Sequence, residues 1–349
     1  MVLPRTLRYE DGVLILLDQR ALPASAEEVR CASAADVASA IRTMAVRGAP
    51  AIGVSAAYGV AVAARQALAH GDDVRDAALE ACAALQSARP TAVNLHAALT
   101  RMHGVVNGCQ PVMTAADLTG ALEAEAAAIE AFETQASRAM GVNAARLLPD
   151  RARVYVHCNT GALATVERGT ALAAVYQLHD EGRLDVVVVG ETRPRLQGAR
   201  LTAYELSAAG VPHVLVVDSL AATLMLQQAL DAVLVGADRV AANGDVANKV
   251  GTYSLAVACT HHSVPLYVVA PSTSIDMTCE TGADVTIEER SDDEVTAVGA
   301  TRVAPRGTRV LNPAFDITPA SMVTALITER GIVAPVTEAS LAAHLAGIS

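Results

Sequence analysis

Residues 153–191 read RVYVHCNTGALATVERGTALAAVYQLHDEGRLDVVVVGE, and the fold is decided here. A β-branched run ends in the polar turn His157-Cys158-Asn159-Thr160-Gly161, an Ala- and Leu-rich stretch with helical spacing follows, and Val186–Val189 starts a second strand. Similar short runs lie at 213–217, 232–235 and 264–270, separated by helical text. Strand-helix alternation with right-handed crossovers predicts a mostly parallel sheet covered on both faces, and the near-continuous valines fit strands buried on both sides. A Rossmann-like domain is therefore expected over 149–349, giving an α/β protein. No G-x-G-x-x-G follows the first strand, which disfavours a dinucleotide.

Upstream, 1–148 reads as a separate domain. Asp11-Gly12 stands between two strand-like runs in RTLRYEDGVLILL (5–17), the pair a tight hairpin turn needs. From Ala34 to about Leu148 the chain is Ala-rich with helical spacing. Its breaks fall at Arg47-Gly48-Ala49-Pro50, His70-Gly71, Arg89-Pro90 and Gly108–Pro111. The uncharged run Gly48–Ala64 is 17 residues long, short of the ~20 that span a bilayer, and reads as a buried helix. Glu123, Glu125, Glu130 and Glu133 on the last helix read as a solvated face. No internal repeat or low-complexity linker is evident.

The 349 residues are 52% hydrophobic, 18% charged and 3% aromatic, which excludes disordered, collagenous and coiled-coil classes and predicts cores of Ala, Val and Leu. A net charge of -11 argues against nucleic-acid or anionic-membrane partners, so a bound anion must meet a local site. The six cysteines are scattered, without a C-x-x-C pair or a His at zinc-ligand spacing, so no metal is expected. Reduced thiols in a cytoplasmic protein are the plain reading. Adjacent His261 and His262 would point about 100° apart on a helix, a poor shared metal site.

Ligands of open parallel sheets bind beyond the carboxyl ends of the strands. Cys158 follows the first strand and enters a helix, where N–H groups favour a thiolate; the alternative is a small buried residue at a strand end. Asp238, in Gly236-Ala237-Asp238-Arg239, follows the fourth strand; the alternative is a carboxylate paired with Arg239 or capping a helix. VRGAP (46–50), RPTAVN (89–94) and NKVGT (248–252) each offer a cation or N–H groups to a phosphate, and would matter only in combination.

Six strings then occur in fixed order: VRGAPAIG (46–53), RPTAVNL (89–95), HCNTGALAT (157–165), ETRPRLQGARLTAYEL (191–206), GADRVAANGDVANKVGTY (236–253) and IEERS (287–291). Together they closely resemble the methylthioribose-1-phosphate isomerases, from the first hairpin to about Pro335. The wider superfamily also holds ribose-1,5-bisphosphate isomerases and translation-initiation exchange-factor subunits. The resemblance implies the same two-part fold and an aldose-ketose isomerase of methionine salvage. It matches Cys158 and Asp238 to the catalytic pair. Arg47, Gly48, Ala49, Arg89, Gln197, Asn248 and Lys249 match the positions that bind the sugar phosphate. It implies a homodimer and no metal or cofactor. The alternatives are a 5-deoxyribose 1-phosphate or ribose 1,5-bisphosphate isomerase, and a non-catalytic binding subunit, which would generally lack the Cys158-Asp238 combination.

Three places depart from the family's usual text: Val166-Glu167-Arg168 after GALAT, His96-Ala97 after RPTAVNL, and Ser219 after Asp218. They exchange rings for polarity near where a 5-substituent would lie, or form a solvated ion pair at the rim. The chemistry of a 1-phosphate sets the demands on the pair. The phosphate locks C1, so no free aldehyde acidifies the C2 proton, and an acid must protonate the ring oxygen as the ring opens. That role falls to Asp238, kept protonated by burial. Cys158 either carries the proton from C2 to C1 or stabilises charge during a hydride shift.

Overall fold

The computed structural model describes residues 3–89, 92–108 and 113–347. They form two compact units, Val2–Arg138 with Gly161–Gly169, and Ala139–Thr160 with Thr170–Ser349.

In the first unit, β1 (Leu7–Glu10) and β2 (Val13–Leu17) pair antiparallel with Glu10 opposite Val13. Asp11 and Gly12 both take positive φ, 51° and 80°, the hairpin turn read from the sequence. A third strand, β3 (Glu28–Cys31), pairs with β2. Its EVRC text is too short and polar to announce itself; pairing with an apolar strand makes it a strand.

Five helices follow: α1 (Ala34–Arg42), α2 (Ala49–His70), α3 (Val74–Gln86), α4 (Val93–Gly108) and α5 (Ala115–Ala145). Pro50 lies in the first turn of α2, and Gly71 closes the helix in the left-handed conformation at φ 78°. Pro90 and residues 109–112, in two of the expected breaks, lie outside the described residues. Helix α2 is the buried helix expected; among the described residues it alone is long and apolar enough to cross a membrane, and 78% of its most apolar window is inside protein. Gly53 lets it approach α4 closely, because a Cβ there would meet the Asn94 carbonyl oxygen at 2.8 Å.

The acidic face of α5 is not simply solvated. Glu123 accepts from the Tyr9 hydroxyl at 2.7 Å and pairs with Arg65 at 3.0 Å, while Glu125 pairs with Arg101 at 2.6 Å. Glu130 accepts from the Tyr58 hydroxyl, and Glu133 is buried. The sequence pattern placed these charges on one face; partners on β1, α2 and α4 turned that face inward.

The second unit is the α/β sheet. Its seven strands run β16-β15-β10-β7-β4-β5-β6, from β4 (Ala152–Val156), β5 (Leu184–Gly190), β6 (His213–Val216), β7 (Ala232–Val235), β10 (Leu266–Val269), β15 (Ala325–Thr328) and β16 (Gly331–Val333). All neighbours are parallel except β16, which returns antiparallel on β15. The five strands read from the sequence are all present, and β7 and β10 are buried at every position. Helices α6 (Ala171–Asp180), α7 (Ala203–Ala209), α8 (Ala221–Leu226) and α9 (Thr252–His262) connect them. A four-stranded sheet of β8 (Arg239–Ala241), β9 (Val246–Lys249), β11 (Ile275–Asp276) and β14 (Phe315–Thr318) stands beside the main one. The short α10 (Asp293–Thr296), the hairpin β12 (Ala297–Val298) and β13 (Thr301–Arg302), and the terminal α11 (Glu338–Leu345) complete the chain.

Ile52 on α2 is 1% exposed in the Ala-rich core. Ile52→Ala is expected to lower unfolding free energy by about 2–5 kcal/mol, measured by urea denaturation with an unchanged m-value.

Candidate active site at the strand carboxyl ends

Strand β4 lies inside the seven-stranded sheet, between β7 and β5, and the chain leaves it through His157 and Cys158. Cys158 takes φ 62°, a conformation that favours glycine. Two buried threonines hold it there. Its N–H donates to Thr192 Oγ1 at 2.8 Å, and Thr202 Oγ1 donates to its carbonyl at 2.7 Å. Thr192 and Arg193 in turn donate their backbone N–H groups to the Asp218 carboxylate, each at 2.7 Å. The ends of β4, β5 and β6 are thus joined Cys158 to Thr192 to Asp218, in the order in which the strands lie. One residue on, Asn159 Nδ2 donates to the fully buried Glu205 at 2.8 Å, and Glu205 also accepts from the Tyr176 hydroxyl at 3.0 Å.

Gln197 sits in the loop after β5, 8% exposed, with Oε1 lacking a hydrogen-bond partner among the described residues. The next position must be glycine, because a Cβ on Gly198 would collide with the Gly190 carbonyl. Asp238 lies after β7, half-buried, and its backbone N–H donates to the Ala247 carbonyl at 3.0 Å. Arg239, its expected alternative partner, forms an ion pair with Asp276 at 3.2 Å. Asn248 and Lys249 end β9, both buried. Asn248 Nδ2 donates to Thr252 Oγ1 at 2.9 Å, and that hydroxyl donates to the Lys249 carbonyl at 2.7 Å.

Lys249 draws these residues into one site. Burial lowers its pKa, against the opposing charges of Cys158, Glu294 and Asp238, while Arg195 adds to the lowering. Glu294 is itself drawn up by burial but held below the ordinary carboxylate value by Arg290 and Arg195, at 2.9 and 2.6 Å. Burial pushes the thiols of Cys31 and Cys82 up to about 11 and that of Cys259 up to about 12. Cys109 lies outside the described residues.

The remaining expected positions belong to the first unit. Gly48 caps α2 at φ 102°, where a Cβ would collide with the Ala164 backbone, and no side chain caps the helix. Arg47 and Gly48 precede Ala49, the first residue of α2, whose opening N–H groups are left outside the helix's own hydrogen bonding. Arg89 follows α3 and is partly buried. Among the departures noted in the sequence, Ser219 lines a cavity with His157 and Asp218 and Val166 packs on the first unit's core, while Glu167 and His96 make surface contacts. Glu167 forms a two-pronged pair with Arg138 at 2.6–3.1 Å, 65% of the Arg138 side chain being exposed, and exposed His96 contacts Gln86 at 3.2 Å. Of the two readings of those residues, the solvated ion pair describes Glu167, with Arg138 and not Arg168 as the partner given by these bonds.

Sequence reasoning passed over Thr192, Thr202, Asp218, Glu205, Glu294 and His157. Only His157 carried a local signal, adjacency to Cys158; the others act through tertiary partners that spacing cannot show. His157 and Tyr155 line a cavity of about 320 Å³ with Asp218, Val250, Gly251 and Leu255.

The fold is that of an α/β protein of the open, mostly parallel sheet class, with a thiol, a carboxylate and a buried ammonium at strand ends. The family model described as Initiation factor 2 subunit family matches residues 45–335, and the chain belongs to that family. It is 50% identical over 332 residues to the methylthioribose-1-phosphate isomerase of Chloroflexus aurantiacus, covering 95% of each chain. The enzyme of that name from Synechococcus sp. is 48% identical over the same share. A crystal structure of 5-methylthioribose 1-phosphate isomerase from Pyrococcus horikoshii OT3 superposes with a TM-score of 0.91 at 40% identity, over 99% of this chain and 96% of that one. A crystal structure described as translation initiation factor eIF-2B, subunit delta, from A. fulgidus superposes with a TM-score of 0.86 at 38% identity, over 98% and 99%.

The Lys249 shift has a stability consequence. Its folded pKa is depressed below the unfolded 10.5, so the unfolded chain binds the extra proton between the two values and stability rises with pH there. Below that window the buried ammonium costs stability in full. Lys249→Met is therefore expected to melt higher than wild type at pH 7, by a margin that narrows as pH approaches 10.5, followed by calorimetry across that range.

Proposed function

We propose that this chain is an aldose-ketose isomerase that converts 5-methylthioribose 1-phosphate to the corresponding ribulose 1-phosphate, a step of methionine salvage. The carrying observation is that Cys158, Asp238 and the buried Asn248-Lys249 pair all stand at strand ends of one unit, with the charges of Cys158 and Asp238 acting on Lys249. The identity to the isomerases supports the same reading. Asp238 is the acid that protonates the ring oxygen as the C1–O bond breaks. Cys158 acts at C1 and C2, by proton transfer or by stabilising charge in a hydride shift, with the Lys249 ammonium beside it. Gln197 and Asn248 orient the sugar. In the second unit the Lys249 ammonium is the cation offered to the substrate's anionic group; in the first, Arg47, the α2 amino end at Gly48 and Ala49, and Arg89 are the positions offered to phosphate. Orientation by these groups supplies several kcal/mol of barrier lowering. No step requires a metal or cofactor.

The protein acts as a homodimer in this reading. Val214 and Leu215 of β6, which lies at the edge of the main sheet, and the neighbouring Val217 are 52%, 47% and 53% exposed. Leu226 of α8 and Tyr253 and Val257 of α9 are also exposed, at 68%, 42% and 43%. An open strand edge with several apolar side chains is what a second copy covers. Free thiols at the five described cysteines accord with a reducing, cytoplasmic setting. The eIF-2B likeness favours a second reading, a binding subunit without activity.

Phosphorus NMR of the purified protein with methylthioribose 1-phosphate separates the two: the ketose phosphate should accumulate, and no turnover of any 5-substituted ribose 1-phosphate would leave the binding subunit standing. Cys158→Ser and Asp238→Asn should each lose at least ~100-fold in kcat while keeping wild-type circular dichroism and melting. Because Glu167 and His96 face outward, Glu167→Gly and His96→Phe should leave the kcat/KM ratio between methylthio- and deoxy-substrates unchanged, measured in parallel initial-rate assays.

A further inference from the structure

We propose that His157 is a positioning residue that sets the distance between Cys158 and the Asn248-Lys249 pair, a role that deepens the isomerase reading and rests on it. His157 is the residue between the end of β4 and Cys158, 2% exposed. Its Nε2 lies 3.0 Å from the Val250 carbonyl oxygen. That oxygen only accepts, so Nε2 carries the hydrogen and donates it. The ring is held below its ordinary pKa of 6.5, chiefly by burial, and a neutral imidazole protonated on Nε2 meets that geometry.

The hydrogen bond spans two segments that the chain separates by some ninety residues (|i−j| = 93). On one side is the Cys158 turn, fastened by Thr192 and Thr202. On the other is the turn carrying Asn248 and Lys249, itself rigid. The Val250 N–H donates to the Ala314 carbonyl at 3.1 Å, the Gly251 N–H donates to Asp316 at 2.7 Å, and Thr252 closes on Lys249. Gly251 takes φ 107°, and a Cβ there would press on His157 Cε1 at 3.0 Å, so ring and turn are in direct contact. Two stiff loops joined by one imidazole keep a fixed separation, and the ammonium of Lys249 acts on Cys158 through that separation. Asp218 and Lys249 act on His157, and Cys158, Asp238, Glu294, Arg195 and Asp316 act on or with Lys249.

The test compares His157→Leu, which keeps bulk and removes the donor, with His157→Gln, whose amide restores a donor at the same reach. Three quantities are read: kcat and KM for methylthioribose 1-phosphate, the pH dependence of Cys158 alkylation by iodoacetamide followed by mass spectrometry, and melting temperature. The Leu variant should lose about tenfold or more in kcat with a smaller change in KM, and its Cys158 alkylation profile should shift along the pH axis. The Gln variant should recover both to within about threefold. A folded Leu variant with wild-type kcat and wild-type alkylation, or a Gln variant as impaired as Leu at equal melting temperature, overturns the proposal and leaves His157 a core residue. If the Leu variant does not fold, Gly251→Ala keeps His157 and displaces its ring. It should give the same alkylation shift, and an unchanged profile counts against the proposal. A wild-type protein without isomerase activity defeats the functional reading alone, because the alkylation profiles still decide whether His157 sets the Cys158 environment.

Discussion

A cysteine held at φ 62° at the end of a central strand is the constraint around which the second unit is arranged. For a residue with a Cβ this conformation costs on the order of 1–3 kcal/mol, and it persists only where the surroundings over-determine it. Here they do. Thr192 and Thr202 bond its two peptide groups, and Asp218 bonds the loop that carries Thr192. Relaxing Cys158 would require the ends of three adjacent strands to move together. The thiol is therefore presented by a frame of hydrogen bonds to the backbone, which costs the site none of its own side-chain functional groups.

The same economy appears in the backbone that approaches closely. Gly198 passes the Gly190 carbonyl, Gly48 passes Ala164, and Gly251 passes the His157 ring, each where a Cβ would collide or crowd. Alanine-rich cores are the counterpart of these approaches, since helices with small side chains pack with little distance between axes. The low aromatic content noted at the outset is thus a structural choice of thin side chains over large ones, and two of the few rings, Tyr9 and Tyr58, stack at 4.9 Å and spend their hydroxyls on α5 glutamates.

Charge is handled by distribution. Lys249 is buried within the field of the opposing charges of Cys158, Asp238 and Glu294, and Glu294 is in turn shared by Arg195 and Arg290. A single partner would leave a large desolvation cost in place; a set of partners spreads it and keeps the ammonium fixed in direction. The net negative charge of the whole chain says nothing about this locality.

The alternation of β-branched runs with helical text by itself determined the parallel sheet, because strands buried on both faces must be apolar throughout and a crossover helix must separate them. The Asp11-Gly12 hairpin was equally legible, as only a few residue pairs tolerate two positive φ values in succession. Cys158 and Asp238 were legible as positions, since strand ends are where open sheets hold their chemistry. Other features belonged to the tertiary structure alone. Strand β3 exists through its pairing with β2, and the acidic face of α5 turns inward through partners far away in sequence. Glu167 pairs with Arg138, on a helix 29 residues earlier. The hydrogen bond from His157 to Val250 joins residues whose meeting depends on the order β7-β4 in the sheet and the placement of β9 beside it. Local patterns specify what a segment buries; which groups bury each other is set by strand order and crossing helices, and no spacing within one segment encodes it.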